Sequence, residues 1–194
     1  MKKSFGFILI VILLITLTNT AFADNNKDFI IEDGVLTKYV GSDEKVIIPD
    51  NIVVIGKNSF ENNSLTSVTI PGNVLLISSS AFSMCENLEA VIIEEGVKEI
   101  EAYAFFNCPK LKNIMIPQSV EEIGYRAFSY NEKFLEFIHK FKENPSHPSI
   151  SPTDGTQLLS MSVLYTHIIT IHGRRGSYAE KYCKLNGIKF KVII

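Results

Sequence analysis

The chain has no tryptophan, three cysteines and four histidines among its 194 residues, and neither charge dominates: 19 Lys and Arg face 21 Asp and Glu. Each shortage removes a class of protein. Three cysteines allow one bonded pair at most and leave one thiol over. The near-neutral balance lacks the basic footprint of a dedicated nucleic-acid binder. A mean hydropathy of +0.16 is too low for a polytopic membrane protein and too high for a disordered chain. The length allows one domain with a buried core.

Catalytic signatures are also missing. There is no Gly-rich phosphate loop, no Gly-x-Ser-x-Gly elbow and no HExxH. His139, His147, His167 and His172 lack metal-ligand spacing, and Glu94-Glu95 and Glu121-Glu122 read as solvated faces. Cys183 sits on an apolar helical face, the place of a core cysteine. No catalytic residue, metal ligand or cofactor is therefore expected, and the chain reads as a non-enzyme. An enzyme reading needs the 131–183 region to bring His139, His147 or His167 beside Cys183.

The apolar content is concentrated at the start. Lys2 and Lys3 precede the unbroken apolar run Phe7 to Ile15, and Ala21-Phe22-Ala23 places small residues at a peptidase site. This is the three-part layout of a secretory signal over residues 1–23, with cleavage expected before Asp24. Thr16, Thr18, Asn19 and Thr20 end the run short of the ~20 apolar residues that a membrane span needs. Cleavage removes Lys2 and Lys3 from the 19 basic residues, leaving 17 against 21 acidic ones, a net of -4. The expectation is a secreted, extracellular protein, surface-associated or released, with no stable membrane span in the mature chain.

A repeat fills the middle of the chain. VIIPDNIVVIGKNSF from Val46, VTIPGNVLLISSSAF from Val68, VIIEEGVKEIEAYAF from Val91 and IMIPQSVEEIGYRAF from Ile114 align without gaps, their starts 22, 23 and 23 residues apart. A unit this small buries too little surface to fold alone, so neighbours must stack into one continuous core. The alternation Val68-x-Ile70 predicts a short half-buried strand ending at Pro71. Val74 and Ile77 carry the chain across the core, and Phe60, Phe82, Phe105 and Phe128 are expected to stack as an aromatic spine opposite the strands.

These units resemble the leucine-rich repeats of the BspA-like class, in Leu65-x-x-Val68-x-Ile70-Pro71, Leu88-x-x-Val91-x-Ile93, Leu111-x-x-Ile114-x-Ile116-Pro117 and the segment Ile123 to Phe128. The resemblance implies an α/β leucine-rich-repeat solenoid. Short parallel strands would stack on its concave face, with an irregular or short-helical convex side and a C-terminal capping helix and strand. It divides the chain into a cap hairpin at 24–44 turning at Asp33-Gly34, four repeats at 45–130, an irregular segment at 131–167 and a C-terminal cap at 168–194. In the cap, Ser177 and Glu180 have capping-box spacing and Asn186-Gly187 supplies a stop. Residues 131–167 read as a degenerate fifth repeat bearing an insertion, or as a binding appendage.

Cys85 and Cys108 occupy the same repeat position and become stacked neighbours, either as small buried thiols or, in an oxidising compartment, as a bonded pair. On the concave face the outward residues are Lys45 and Ile47, Ser67 and Thr69, Ala90 and Ile92, Asn113 and Met115. Their middle column, Ile47-Thr69-Ile92-Met115, forms an apolar stripe, either a contact site or strand-favouring filler. The expected function is a secreted binding module, adhesion-like through its concave sheet, whose partner is a protein or glycan of a cell surface or matrix. A structural or inhibitory role in the producer's own envelope is the alternative.

Overall fold

The structure, a computed structural model, describes residues 27–130 and 169–193. Along the chain the elements are β1 (Phe29–Glu32), β2 (Val35–Tyr39), β3 (Lys45–Ile47), β4 (Val54–Ile55), β5 (Ser67–Ile70), β6 (Leu76–Ile77), β7 (Ala90–Ile93), β8 (Glu99–Ile100), β9 (Asn113–Met115), β10 (Glu122–Ile123), β11 (Thr170–Gly173), α1 (Tyr178–Asn186) and β12 (Lys189–Val192). They wind as a parallel-strand solenoid with two six-stranded sheets. The broad sheet runs β3-β5-β7-β9-β11-β12 and the narrow sheet runs β1-β2-β4-β6-β8-β10.

Alternation within each strand decides what is buried. In the broad sheet Val46, Val68, Val91, Ile114 and Ile171 form the inward column, and Leu36, Ile55, Ile77, Ile100 and Ile123 face them from the narrow sheet. All ten are buried in one core with Leu65, Leu88 and Leu111. The narrow sheet is more than the crossing that Val74 and Ile77 suggested. Its strands within the repeats, β4, β6, β8 and β10, are two residues long, below the length at which alternation can be read. They form because the near-constant repeat length brings equivalent backbone groups of successive turns opposite each other.

At the amino end, Asp33 (φ 49°) and Gly34 (φ 78°) form a two-residue turn with both φ positive, the geometry that matches strand twist in a hairpin. β1 and β2 pair antiparallel across it, and β2 then joins β4 in parallel, so the hairpin closes one end of the narrow sheet. At the other end, β11 pairs in parallel with β9, Ile171 opposite Ile114, although 57 residues separate the two positions instead of 23. Helix α1 lies against β10, β11 and β12 and buries Ala179, Tyr182 and Cys183. Ser177 accepts a hydrogen bond from the Glu180 N–H, and left-handed Gly187 ends the helix.

Opposite the broad sheet the phenylalanines stack. Ring centroids of Phe60 and Phe82 lie 4.7 Å apart, Phe82 and Phe105 5.1 Å, and Phe105 and Phe128 5.4 Å, with planes within 15° of parallel. The column continues into the hairpin through Tyr39, 4.9 Å from Phe60, and into α1 through Tyr182, edge-on at 6.2 Å from Phe128. Backbone bonds run beside the rings: the N–H groups of Phe60, Phe82 and Phe105 each donate to the alanine carbonyl one turn on, at Ala81, Ala104 and Ala127, all 2.8 Å. The turns around them use left-handed residues at matching positions, Asn58, Ser80, Tyr103 and Arg126.

Cys85 and Cys108 line the same wall. Each thiol donates backwards by one turn, Cys85 Sγ to the Phe60 carbonyl at 3.1 Å and Cys108 Sγ to the Phe82 carbonyl at 3.2 Å. With Cys183 they are buried free thiols. Burial pushes the Cys85 thiol up to about 12 and Cys183 to about 11, and raises Cys108 well above the ordinary thiol range. The thiolate is the reactive form, so all three are chemically quiet in the folded state.

Three outcomes follow from this packing. F82A, which opens the middle of the ring column, should cost about 3–5 kcal/mol in chemical denaturation. Ser59 is buried with its hydroxyl lacking a hydrogen-bond partner, where the equivalent residues of later turns are Ala81, Ala104 and Ala127. S59A should therefore stabilise by about 1 kcal/mol, seen as a melting temperature raised by a few degrees. Native protein mixed with Ellman's reagent at pH 8 should release almost no chromophore until denaturant is added, after which three thiols react. Prompt reaction of the native protein would show that the wall is open.

Candidate functional site

In-register stacking turns each outward strand position into a column. The first runs Lys45, Ser67, Ala90 across β3, β5 and β7, and Asn113, Thr170, Lys189 across β9, β11 and β12. The second runs Ile47, Thr69, Ile92, Met115, His172, Lys191. All eight residues singled out from the sequence therefore lie on one face, in two adjacent rows. Ile47 is 71% exposed, and Ile92 and Met115 are 55% exposed, with half-exposed Thr69 between them. Strand pairing sets neighbouring side chains of a column about 4.8 Å apart, so Ile47, Ile92 and Met115 line one strip with Thr69 among them.

The strip has a polar, basic end. His172 continues the apolar column and its Nε2 lies 3.3 Å from Asn113 Oδ1. Lys189 and Lys191 follow on β12, and the outward strand residues of the broad sheet include no carboxylate. The acids stand on the rim, where they fasten turns together. Glu95 accepts from the Gln118 and Ser119 N–H groups, at 3.2 and 3.1 Å, and these bonds hold its carboxyl below the usual carboxylate range. Glu94 accepts from the Gly72 N–H, and Arg174 donates to Gln118 Oε1 at 2.8 Å. A depression of about 100 Å³ lined by Asp28, Tyr39, Asp43 and Lys45 borders the strip at Ile47.

The residues considered for chemistry are not gathered. His139, His147 and His167 lie outside the described residues. His172 faces outward from the broad sheet, whereas Cys183 lies on the buried face of α1. Glu121 pairs with Lys98 at 2.7 Å on the narrow sheet. Among the described residues, no three His, Cys, Asp or Glu side chains converge as a metal site, and no helix is long and apolar enough to cross a membrane.

Thr170, His172, Lys189 and Lys191 were missed as members of this surface. The signal was present in Ile169-x-Ile171, which has the strand alternation of the repeats. The 57-residue separation concealed its register. The outward face of the narrow sheet was missed as well, because a two-residue strand leaves no pattern to read.

Three solved structures of bacterial proteins overlap about half of the chain. A leucine-rich repeat protein from Bacteroides capillosus ATCC 29799 is 28% identical, with a TM-score of 0.45, over 50% of this chain and 88% of that one. The T. pallidum leucine rich repeat protein is 26% identical, with a TM-score of 0.42, over 48% of this chain and 57% of that one. A leucine rich cell surface protein from Faecalibacterium prausnitzii A2-165 is 21% identical, with a TM-score of 0.32, over 52% of this chain and 49% of that one. The chain thus spans little more than half, or just under half, of the latter two. No curated protein matches it. The family model for BspA-type leucine-rich repeat regions, in six copies, matches residues 16–136, more than half of the chain. The repeated Leu-x-x-Val-x-Ile strands, the phenylalanine column and this match agree: the chain belongs to the BspA-type leucine-rich repeat family.

Proposed function

We propose that this is a secreted, non-enzymatic binding module that recognises another protein, or a glycan, of a cell surface or matrix through the outward face of the broad sheet. The observation that carries the reading is the exposed apolar column Ile47-Thr69-Ile92-Met115. A mainly apolar strip held on a paired sheet is a ready contact surface, and its column, which crosses four strands, suits a partner that lies across the strands. The basic end at His172, Lys189 and Lys191 adds a direction: a partner with an apolar stretch followed by acidic groups would be complementary. The amino-terminal pattern of Lys2-Lys3, the apolar run and Ala21-Phe22-Ala23 supports export, which would place the sheet where such partners are found.

The surface is tested by charge substitution. Residues 24–194, immobilised and exposed to extracellular-matrix and cell-surface fractions, should capture a discrete partner. I92E and M115E should each weaken capture by at least about tenfold, the loss expected when a central apolar contact is replaced by a charge. Because both side chains already face solvent, their melting temperatures should match that of the parent. Capture at parental strength by both variants would sink the assignment of this face.

A further inference from the structure

The four stacked turns act as their own alignment, and at one pair of positions on the narrow sheet they disagree. Directly before the buried isoleucine of each short strand stand Val53-Val54, Leu75-Leu76, Lys98-Glu99 and Glu121-Glu122. Backbone bonds from Leu75 to Val53, Lys98 to Leu75 and Glu121 to Lys98 put the first of each pair in one row. Strand pairing puts Val35, Val54, Leu76, Glu99 and Glu122 in the next. Turns three and four hold these places with charged side chains in the same backbone geometry. The fold therefore does not require apolar groups there, yet Val53 and Leu75 are 42% and 47% exposed beside half-buried Val35, Val54 and Leu76.

The face is thus apolar over its first turns and acidic over its last. Lys98 is engaged by Glu121 at 2.7 Å, and among the described residues Glu99 and Glu122, adjacent in the ladder, form no ion pair. Partial burial, then the charges of Glu122 and Glu101, raise the Glu99 carboxyl above its usual range. Five aliphatic side chains expose far less than the ~800 Å² per partner of a standard protein interface, so a second copy of the chain would bury too little here for a stable dimer. A short segment is the better match. Three strand spacings, about 15 Å, separate Val54 on β4 from Glu122 on β10 and can be spanned by a few extended residues.

We propose that the outward face of the narrow sheet is a second interaction surface. It would take an extended protein segment whose aliphatic residues lie on Val53, Val54, Leu75 and Leu76 and whose lysines or arginines reach Glu99 and Glu122. This surface is separate from the broad-sheet strip and stands whether or not that strip binds a partner.

The probe is a short fluorescein-labelled peptide with alternating leucines in its first half and lysines in its second, titrated by anisotropy against the chain from residue 24. Saturable binding that weakens with salt is expected. L75K/L76E installs what the third turn already carries at these positions and should fold. It should weaken binding by at least about tenfold, and E99Q/E122Q, which removes charge without changing shape, should do the same and flatten the salt dependence. I92E on the broad sheet should leave this binding unchanged. The proposal is overturned if the parent shows no saturable binding, if either double variant with a parental melting curve binds as tightly as the parent, or if an all-lysine peptide binds equally well. Self-association in sedimentation that L75K/L76E abolishes would assign the face to a second copy of the chain, and would overturn it too.

Discussion

Every feature of this protein depends on the backbone of one turn lying in register on the next. A single turn of 22 or 23 residues cannot satisfy its own peptide groups or bury its own side chains. It does both only against neighbours. Three parallel systems of backbone bonds supply the register: the broad sheet, the narrow sheet and the bonds beside the phenylalanines. The first turn is one residue shorter than the next two, yet all three stay in register, because the difference falls between Phe60 and Leu65, where the equivalent stretch from Phe82 to Leu88 is one residue longer. The ladder continues across a 57-residue interval, with Ile171 of β11 opposite Ile114 of β9.

Register also decides what each substitution means. It sends equivalent residues to equivalent places, so every repeat position becomes a column with a common environment. Inward columns are uniform: five aliphatics from each sheet, and four phenylalanines closed by Tyr39 and Tyr182. Side chains there must fill the gap left by the turns on either side, and close packing penalises any change of volume. Ser59 is the exception that shows the rule, a hydroxyl in a column of alanines. Outward columns are under no such constraint, and they vary. The two faces consequently differ in charge, basic at the carboxyl end of the broad sheet and acidic on the later turns of the narrow one, in a chain with a formal net charge of only -2.

Much of this was legible in the order of residues. Val68-x-Ile70 and its equivalents gave the strands of the broad sheet, and the recurrent Ala-Phe gave the ring column. Asp33-Gly34 gave the hairpin turn, and Ser177, Glu180 and Gly187 gave the limits of α1, because turn and cap chemistry are local. The rows containing Ile47, Ile92 and Met115 could be read as well, since alternation within a strand fixes which side chains point out. The narrow sheet could not. Its two-residue strands have no period, and pairing between residues 22 apart becomes visible only when the turns are stacked. Tyr39 and Tyr182 were hidden as ends of the aromatic column for the same reason: neither belongs to a repeat unit.

What the sequence alone determined was the repeat, its period and the identity of the core, because burial imposes a periodic demand on residue type that composition cannot satisfy by accident. What only the tertiary structure decided was adjacency between segments that share no period. It set β11 beside β9 across 57 residues, placed His172 and two lysines at the end of the apolar strip, and divided the narrow sheet into aliphatic and acidic halves. Those contacts rest on where the chain returns after its loops, and that position is fixed by hydrogen-bonding partners far away in sequence. No local pattern encodes it.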